Sequence, residues 1–549
     1  MKSAFSNFIK RNQHLLLAAV VIVALSFVLQ FRYLREFPLY IHAWAQADWY
    51  SLSIGYVDNG MDFAHPLTML YNKQDDGLWG SPITSADFPI HEYIVALLMK
   101  ILGNTSPWVF RCYTLLISMI GLLFLYKLTH LLTDDSIKSL LVTIMVTTVP
   151  SYTYYASGFI PTIPALSCAF VGLWGYLSYV KKKKRVYFAV GFAFLTLAAM
   201  IRMPQIVLLM AVCAFELLRI IRKEAQLRGN ILIVAIAFAC YLGVFLWNIH
   251  LKNLYGSMFL GKLRPPENME DVQFVYQNIH DRWMFHYFQR IQHWVIAAVL
   301  AVTPIYLLVI QMRNRKKQPT ASATNEIGSM RKPLSLWWLL CIYVLGELAY
   351  CGSMLLQYSD HDYYFLDSLF FSIIFLFILA LAALPRIQGH IASVVALLLL
   401  VGLTIPMTQE ALNMQQLRRD PNDGALRCYN NFHQSDKWLD SMGVSRDAKI
   451  VALFAYPKSS AFIQMKRRGY IVLNTDEKMV RKALATDYDY IIIENDIYRD
   501  EFDGSQYVLC YLNPIATNGR ITLCQISEKQ TADSPEAFFK LAKSAGQRQ

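Results

Sequence analysis

Apolar runs long enough to cross a lipid bilayer recur through most of this chain, and they constrain its fold more than any other feature. A helix needs about 20 mostly apolar residues to span the hydrocarbon. Eleven stretches approach that length: 14–31, 109–132, 138–156, 160–180, 186–201, 203–218, 230–250, 293–311, 334–356, 365–384 and 389–406. The first follows Lys2, Lys10 and Arg11, as the core of a signal peptide would. It runs into the bulky Arg32, Tyr33, Leu34 and Arg35 with no small-residue cleavage site, so it reads as a retained span. The fifth and sixth stretches meet at Arg202-Met203-Pro204. Proline removes a helix hydrogen bond and disfavours helix at the preceding residue, which predicts two short helices there rather than one long one.

Charge gives these spans an orientation. Of 549 residues only 16% are charged and 55% are hydrophobic, yet the net charge is +12 and the mean hydropathy is +0.32. A soluble chain carries about 25% charged residues. This balance excludes a disordered, fibrous or nucleic-acid-coating chain. With the N-terminus inside, the inside segments are the N-terminus, 127–138, 181–185, 216–228, 313–332 and Arg386. They collect the Lys181-Lys182-Lys183-Lys184-Arg185 run and the cluster at Arg313, Arg315, Lys316 and Lys317, as the positive-inside rule requires. Their basic surplus exceeds that of the whole chain, so the outer face is net acidic. The outer segments are the long loop 32–108, the loop 251–292, the turn 357–364 and everything from about Thr408. The expected fold is a polytopic α-helical membrane protein of about eleven transmembrane helices, residues 1–407, with a soluble α/β domain at 408–549.

The C-terminal region changes texture. Short apolar runs at 449–454, 470–473 and 488–493 alternate with helix-like stretches such as Glu477 to Ala485, a strand-helix-strand rhythm. No glycine-rich phosphate loop follows any of these runs, and the plain reading is a lid or docking domain. Nine cysteines are scattered along the chain, mostly inside spans. Cys510 and Cys524 lie in strand-like runs, 507–510 and 521–524, on either side of a turn-rich segment. A disulfide between them and a free pair are both open.

Candidate chemistry sits in the outer segments. The first loop begins His42-Ala43-Trp44-Ala45-Gln46-Ala47-Asp48-Trp49-Tyr50-Ser51. A carboxylate set among tryptophans just past a span is a candidate for partial desolvation, which raises its pKa and makes it a better base near neutral pH. An interfacial aromatic belt with an exposed acid is the plain alternative. Asp58 and Asp62 are fallback bases, and His65 is a nearby candidate ligand-binding residue. Farther on, Asp87-Phe88-Pro89-Ile90-His91-Glu92-Tyr93 opens an amphipathic helix that ends at Gly103. It is too short to span and suits a surface position, and Glu92 there could simply favour the helix N-terminus. Arg202 is an intramembrane cation, which pairs, faces a cavity or meets an anionic ligand. The turn Tyr358-Ser359-Asp360-His361-Asp362-Tyr363-Tyr364 offers hydroxyls, a His and two acids for hydrogen bonding to a polar ligand. A divalent metal stays open, because Asp48, Asp58 and Asp62 can share an ion only if the loop folds them together.

The order of these features resembles the GT-C superfamily of integral membrane glycosyltransferases. It is most similar to the bacterial branch of protein mannosyltransferases and the lipid A aminoarabinose transferase, over about residues 10–406. Asp48 stands two residues before Tyr50, whereas the family acid stands three or four before its tyrosine. Phe88-Pro89-Ile90-His91-Glu92-Tyr93 is similar to the family's Pro-Pro-Leu-x-Tyr segment, with Asp87 where some members have Lys or His. Arg202-Met203-Pro204 and His361-Asp362-Tyr363-Tyr364 resemble the family's cation-x-Pro step and late tyrosine turn. The resemblance implies an enzyme of the bacterial inner membrane, with its C-terminal domain periplasmic. Such an enzyme moves a sugar, with inversion, from a polyprenyl-phosphate donor to an acceptor hydroxyl of a glycan, lipid or protein. In that reading Asp48 is the base. Gln46, Tyr50, His65, Asp87, Glu92, His361, Asp362 and Tyr363 bind substrate, and Arg202, Lys262 and Arg264 meet the leaving phosphate. The alternatives are a transporter or flippase of lipid-linked saccharides and a membrane-anchored binding protein. A transporter places its binding groups at mid-membrane within repeated halves, and no internal repeat is visible. A binding protein leaves the acidic first loop unexplained.

Overall fold

The computed structural model describes residues 2–71, 80–226, 229–259, 262–317, 334–453, 455–472, 484–500 and 506–546. Each of the eleven apolar stretches is helical at its core. Among the described residues, eight helices are long and apolar enough to cross a membrane. The Ser136–Thr148, Arg185–Ile201 and Leu369–Ala383 helices are apolar but shorter. The chain is thus a polytopic helical membrane protein, with a small sheet in its C-terminal part. The fifth and sixth stretches are two helices, as the proline predicts. Arg202 is extended (φ −139°, ψ 112°), and a single 3-10 turn, Met203–Gln205, starts the next helix.

Two compact units emerge, and neither is continuous in sequence. The first comprises Met1–Leu34, Cys112–Phe245 and Lys262–Gln416; the second comprises Arg35–Arg111, Leu246–Gly261 and Leu417–Gln549. The division expected at 407/408 falls inside an unbroken helix, His390–Leu417. The last apolar run continues into Thr408-Gln409-Glu410-Ala411, residues that keep helical hydrogen bonding despite their polarity.

In the first unit the turns sort into two sets. Asp135 caps the Ser136–Thr148 helix and also accepts from the Ile387 amide at 2.8 Å. Lys138 donates to the carbonyls of Leu381, Leu384 and Pro385 at 2.8–2.9 Å, closing the end of the Leu369–Ala383 helix. Asp134 pairs with Arg386, Lys181 reaches the Leu131 carbonyl, and Glu224 accepts from the Leu334 amide. These are the segments that charge assigns to the inside. The outer set is bound together in the same way. Gln30 donates to the Thr153 carbonyl, Gln289 to those of Thr148 and Met407, and Trp283 to that of Ser359. Helix ends in hydrocarbon must satisfy their backbone groups within the protein, and long polar side chains from neighbouring turns do so here.

The second unit is built on a five-stranded sheet. Its strands are β1 (Lys449–Leu453), β2 (Arg468–Val472), β3 (Tyr490–Glu494), β4 (Leu512–Thr517) and β5 (Ile521–Ile526), in the order β2-β1-β3-β5-β4. β1 is parallel to β2 and β3, and β5 runs antiparallel to β3 and β4. The helix Lys458–Met465 connects β1 to β2, while the expected helix from Glu477 lies outside the described residues up to Leu484. Residues 507–510, expected as a strand, are a 3-10 turn. Cys524 therefore faces Pro514 in the ladder rather than Cys510, and both thiols are free.

The first outer loop is part of this unit. Leu70 bridges Gly469 in parallel fashion, with the Tyr71 amide on the Gly469 carbonyl at 3.0 Å. The loop thereby covers the β2 edge, which would otherwise invite foreign strands. Glu36 pairs with Arg419 at 2.9 Å and Asp58 with Arg468 at 2.7 Å. The start of the second outer loop joins too, Ser257 donating to the Ser85 carbonyl at 3.0 Å. Two glycines of this unit allow further close backbone approaches. A β-carbon on Gly55 would lie 1.7 Å from the Leu67 carbonyl oxygen, and one on Gly469 would lie 1.8 Å from that of Ile450. Neither obstacle is a flexible side chain. Gly55→Ala is expected to lower stability by about 1–3 kcal/mol through overpacking, read as a lower thermal midpoint in detergent; an unchanged midpoint would contradict the packing.

Candidate active site

Asp48 lies in the helix Ala43–Asp58, which is buried on nearly every side. Such a helix belongs inside a protein, not on its surface. Trp49 stacks on Phe259 with ring centroids 4.3 Å apart. Tyr50 donates to the Thr105 carbonyl and meets Phe37 and Phe110 edge-on. Gln46 donates to the Ile41 carbonyl at 3.0 Å, holding the turn that enters the helix. The aromatic surroundings are therefore a core and not a solvent-facing belt.

Asp48 itself is 4% exposed. Its Oδ1 accepts a 2.6 Å hydrogen bond from the Ser459 hydroxyl, at the start of the Lys458–Met465 helix. Burial pushes its carboxyl up to about 7, against the opposing pull of Ser459 and of the Lys458 ammonium. A carboxylate at that value is half-ionised near neutral pH, as a general base requires.

The other candidates of the first loop are distributed around this helix. Asp58, at the helix end, is raised by burial and held by Arg468. Asp62 is exposed and pairs with His65 at 2.7 Å, which keeps its carboxyl below the usual range. The three loop acids thus take three separate partners. Among the described residues, no group of three or more His, Cys, Asp and Glu is arranged to hold a metal ion. The amphipathic helix expected to end at Gly103 is Ile90–Leu102, with Gly103 in the left-handed conformation. His91 is buried against Phe110, and burial pushes its imidazole down to about 3, so it is neutral. Glu92 is buried, and its backbone carbonyl accepts from Ser53 at 3.0 Å, tying the two helices. Asp87 is half-buried.

The remaining candidates lie in the first unit. Arg202 Nε donates to Asp367 Oδ2 at 3.0 Å, and Nη2 donates to the same oxygen. Gln205 reaches the Asp367 carbonyl at 2.9 Å. The Tyr363 ring lies beside the guanidinium, 5.9 Å from its carbon. Asp362 is fully buried and accepts from Tyr155 at 2.7 Å. His361 turns its Nδ1 to the Gln357 carbonyl and packs against Tyr363 and Tyr364. Lys262 and Arg264 are exposed. The backbone of Arg264 pairs with Ser353 and Leu356, which brings the second outer loop to the late tyrosine turn. The structure therefore joins Arg202, Asp362 and Tyr363 in one buried cluster and leaves Lys262 and Arg264 at the surface.

Two hydrogen-bond partners of the candidate residues escaped the sequence reading. Asp367 carries a signal, since an acid inside the apolar stretch 365–384 needs a cation. Ser459 carries almost none: it follows a strand in Tyr456-Pro457-Lys458-Ser459-Ser460, a helix start without the glycines of a phosphate loop.

Residues 85–247 match the family model described as dolichyl-phosphate-mannose-protein mannosyltransferase. This segment holds the surface helix and the Arg202 break and begins after Asp48. No curated protein sequence matches the chain. Among solved structures, the chain is similar to the oligosaccharyltransferase AglB of Archaeoglobus fulgidus in complex with an inhibitory peptide and a dolichol-phosphate. The TM-score is 0.44 at 12% identity, over 95% of this chain and 75% of that one. An Archaeoglobus fulgidus oligosaccharyltransferase tethered to an acceptor peptide gives 0.43 at 12% identity, over 90% and 70%. The resemblance to membrane glycosyltransferases read from the sequence is thus met by a family match over its central part.

Proposed function

We propose that this chain is an inverting membrane glycosyltransferase that moves a sugar from a polyprenyl phosphate to an acceptor hydroxyl, with Asp48 as the base. The observation that carries the reading is a buried first-loop carboxylate whose pKa is raised to about 7 and whose one oxygen is fixed by a serine. The family match supports the donor class, since its description names a lipid-phosphate sugar. Asp48 takes the proton of the acceptor oxygen as that oxygen attacks the anomeric carbon, and polyprenyl phosphate leaves. A single displacement of this kind inverts the centre.

The leaving phosphate needs cationic stabilisation. Arg202, which pairs with Asp367, Lys262 and Arg264 are the candidates for that role. Asp362, occupied by Tyr155, supports the tyrosine turn, and His361 and Tyr363 remain the candidates there for hydroxyl recognition. Gln46, Tyr50, His65, Asp87 and Glu92 are assigned to shaping and binding around the first loop. In this reading the reaction takes place on the outer face of a bacterial inner membrane, with the C-terminal sheet in the periplasm.

The test is transfer of labelled sugar from a polyprenyl-phosphate donor to cell-envelope extract by the purified protein. Acceptor-dependent labelling is the expected result. Movement of lipid-linked sugar between leaflets with no labelled acceptor would replace this reading with a transporter.

A further inference from the structure

The helix Lys458–Met465 is the next described helix after β1 in the chain and buries Ser459 and Ser460 completely. Serine in the first turn of a helix commonly serves its own backbone. The Ser459 hydroxyl instead points its proton at Asp48, 411 residues earlier in the chain. An ionised carboxylate only accepts, through two oxygens with about four lone-pair sites. Ser459 binds Oδ1, and a proton taken from an acceptor would go to one of the carboxylate's remaining lone pairs. A base anchored through one oxygen has the arrangement found where a nucleophile's base is itself oriented by a third group.

Resting on the reading of Asp48 as the base, we propose that Ser459 is a positioning residue for the transfer reaction: its hydroxyl, delivered by the C-terminal sheet domain, fixes the Asp48 carboxylate and favours its ionised form. The C-terminal domain then contributes to the chemistry. A hydrogen bond donated to the charged form of an acid lowers its pKa, so loss of the hydroxyl raises the pH at which Asp48 becomes a base.

The experiment measures initial transfer rates from pH 5 to 9 for full-length protein in detergent, as wild type, Ser459→Ala, Ser459→Thr and Asp48→Asn. Removing a hydrogen bond to a charged group shifts the midpoint upward by roughly one pH unit. Ser459→Ala is therefore expected to be about tenfold slower than wild type at pH 6 and close to it at pH 9. Ser459→Thr keeps the hydroxyl and should restore the wild-type midpoint. A Ser459→Ala protein slowed equally at every pH, with its midpoint unmoved, would mean that the bond is only a structural tie and would overturn the proposal, while an inactive Asp48→Asn would leave the base assignment standing. Full activity of Asp48→Asn would remove both.

Discussion

Asp48→Asn is expected to lower sugar transfer by roughly 10²- to 10⁴-fold, the usual contribution of a positioned general base. Asn nearly preserves the shape of the side chain and still accepts from Ser459, so the loss reports on proton transfer and not on packing. The wild-type rate should climb through about pH 7, because only the ionised carboxylate takes a proton. The residual rate of the Asn protein should lack that limb. Measuring rate against pH for both proteins checks the claim, and an Asn variant with wild-type turnover would discard Asp48 as the base.

The same substitution has a stability signature of opposite sign. A carboxyl raised from 3.8 to about 7 on folding binds its proton more tightly in the folded chain than in the unfolded one. Between those values the folded state holds more protons, so its stability falls as pH rises. The full difference above pH 7 corresponds to roughly 4 kcal/mol as an upper figure. Asn carries no charge to bury. The Asn protein should match wild type near pH 4 and exceed it in thermal midpoint at pH 8. An enzyme that loses activity while gaining alkaline stability has not simply misfolded. A midpoint difference independent of pH would show that the carboxylate is not desolvated.

What could be read beforehand follows from what a local sequence encodes. Span-length apolarity marked the eleven helical stretches, and the proline after Arg202 marked the break. Charge sorted the turns into sets that the folded chain joins, since Asp135 meets Ile387 and Trp283 meets Ser359. Partner choice was not legible, because it depends on which distant segments the fold brings together. Nothing near Asp48 points to Ser459. Nothing in Leu70 announces a bridge to Gly469, a contact that makes the first loop part of the C-terminal sheet unit. Composition also misled at residues 507–510. Tyr507-Val508-Leu509-Cys510 has strand-like residues, but the ladder with β5 begins at Leu512, and the Val508 and Leu509 side chains pack into the core of the sheet instead.

Asp367→Ala is expected to destabilise the first unit by about 3–5 kcal/mol, because it removes the carboxylate to which both Nε and Nη2 of a poorly hydrated arginine donate. The Arg202 side chain is 11% exposed and that of Asp367 is fully buried, so solvent cannot replace the lost carboxylate. The variant should yield little monodisperse protein, or a thermal midpoint well below wild type. Removing both charges has a different consequence. Replacing a buried ion pair by apolar residues of similar volume is often neutral or stabilising, so Arg202→Met with Asp367→Leu should recover most of the stability. This double variant also separates two roles for the arginine. If Asp367 already neutralises it, the leaving phosphate does not depend on it, and the recovered protein should transfer sugar within a few-fold of wild type. A double variant that is stable yet inactive would instead return Arg202 to the donor phosphate and make Asp367 its placeholder in the absence of substrate.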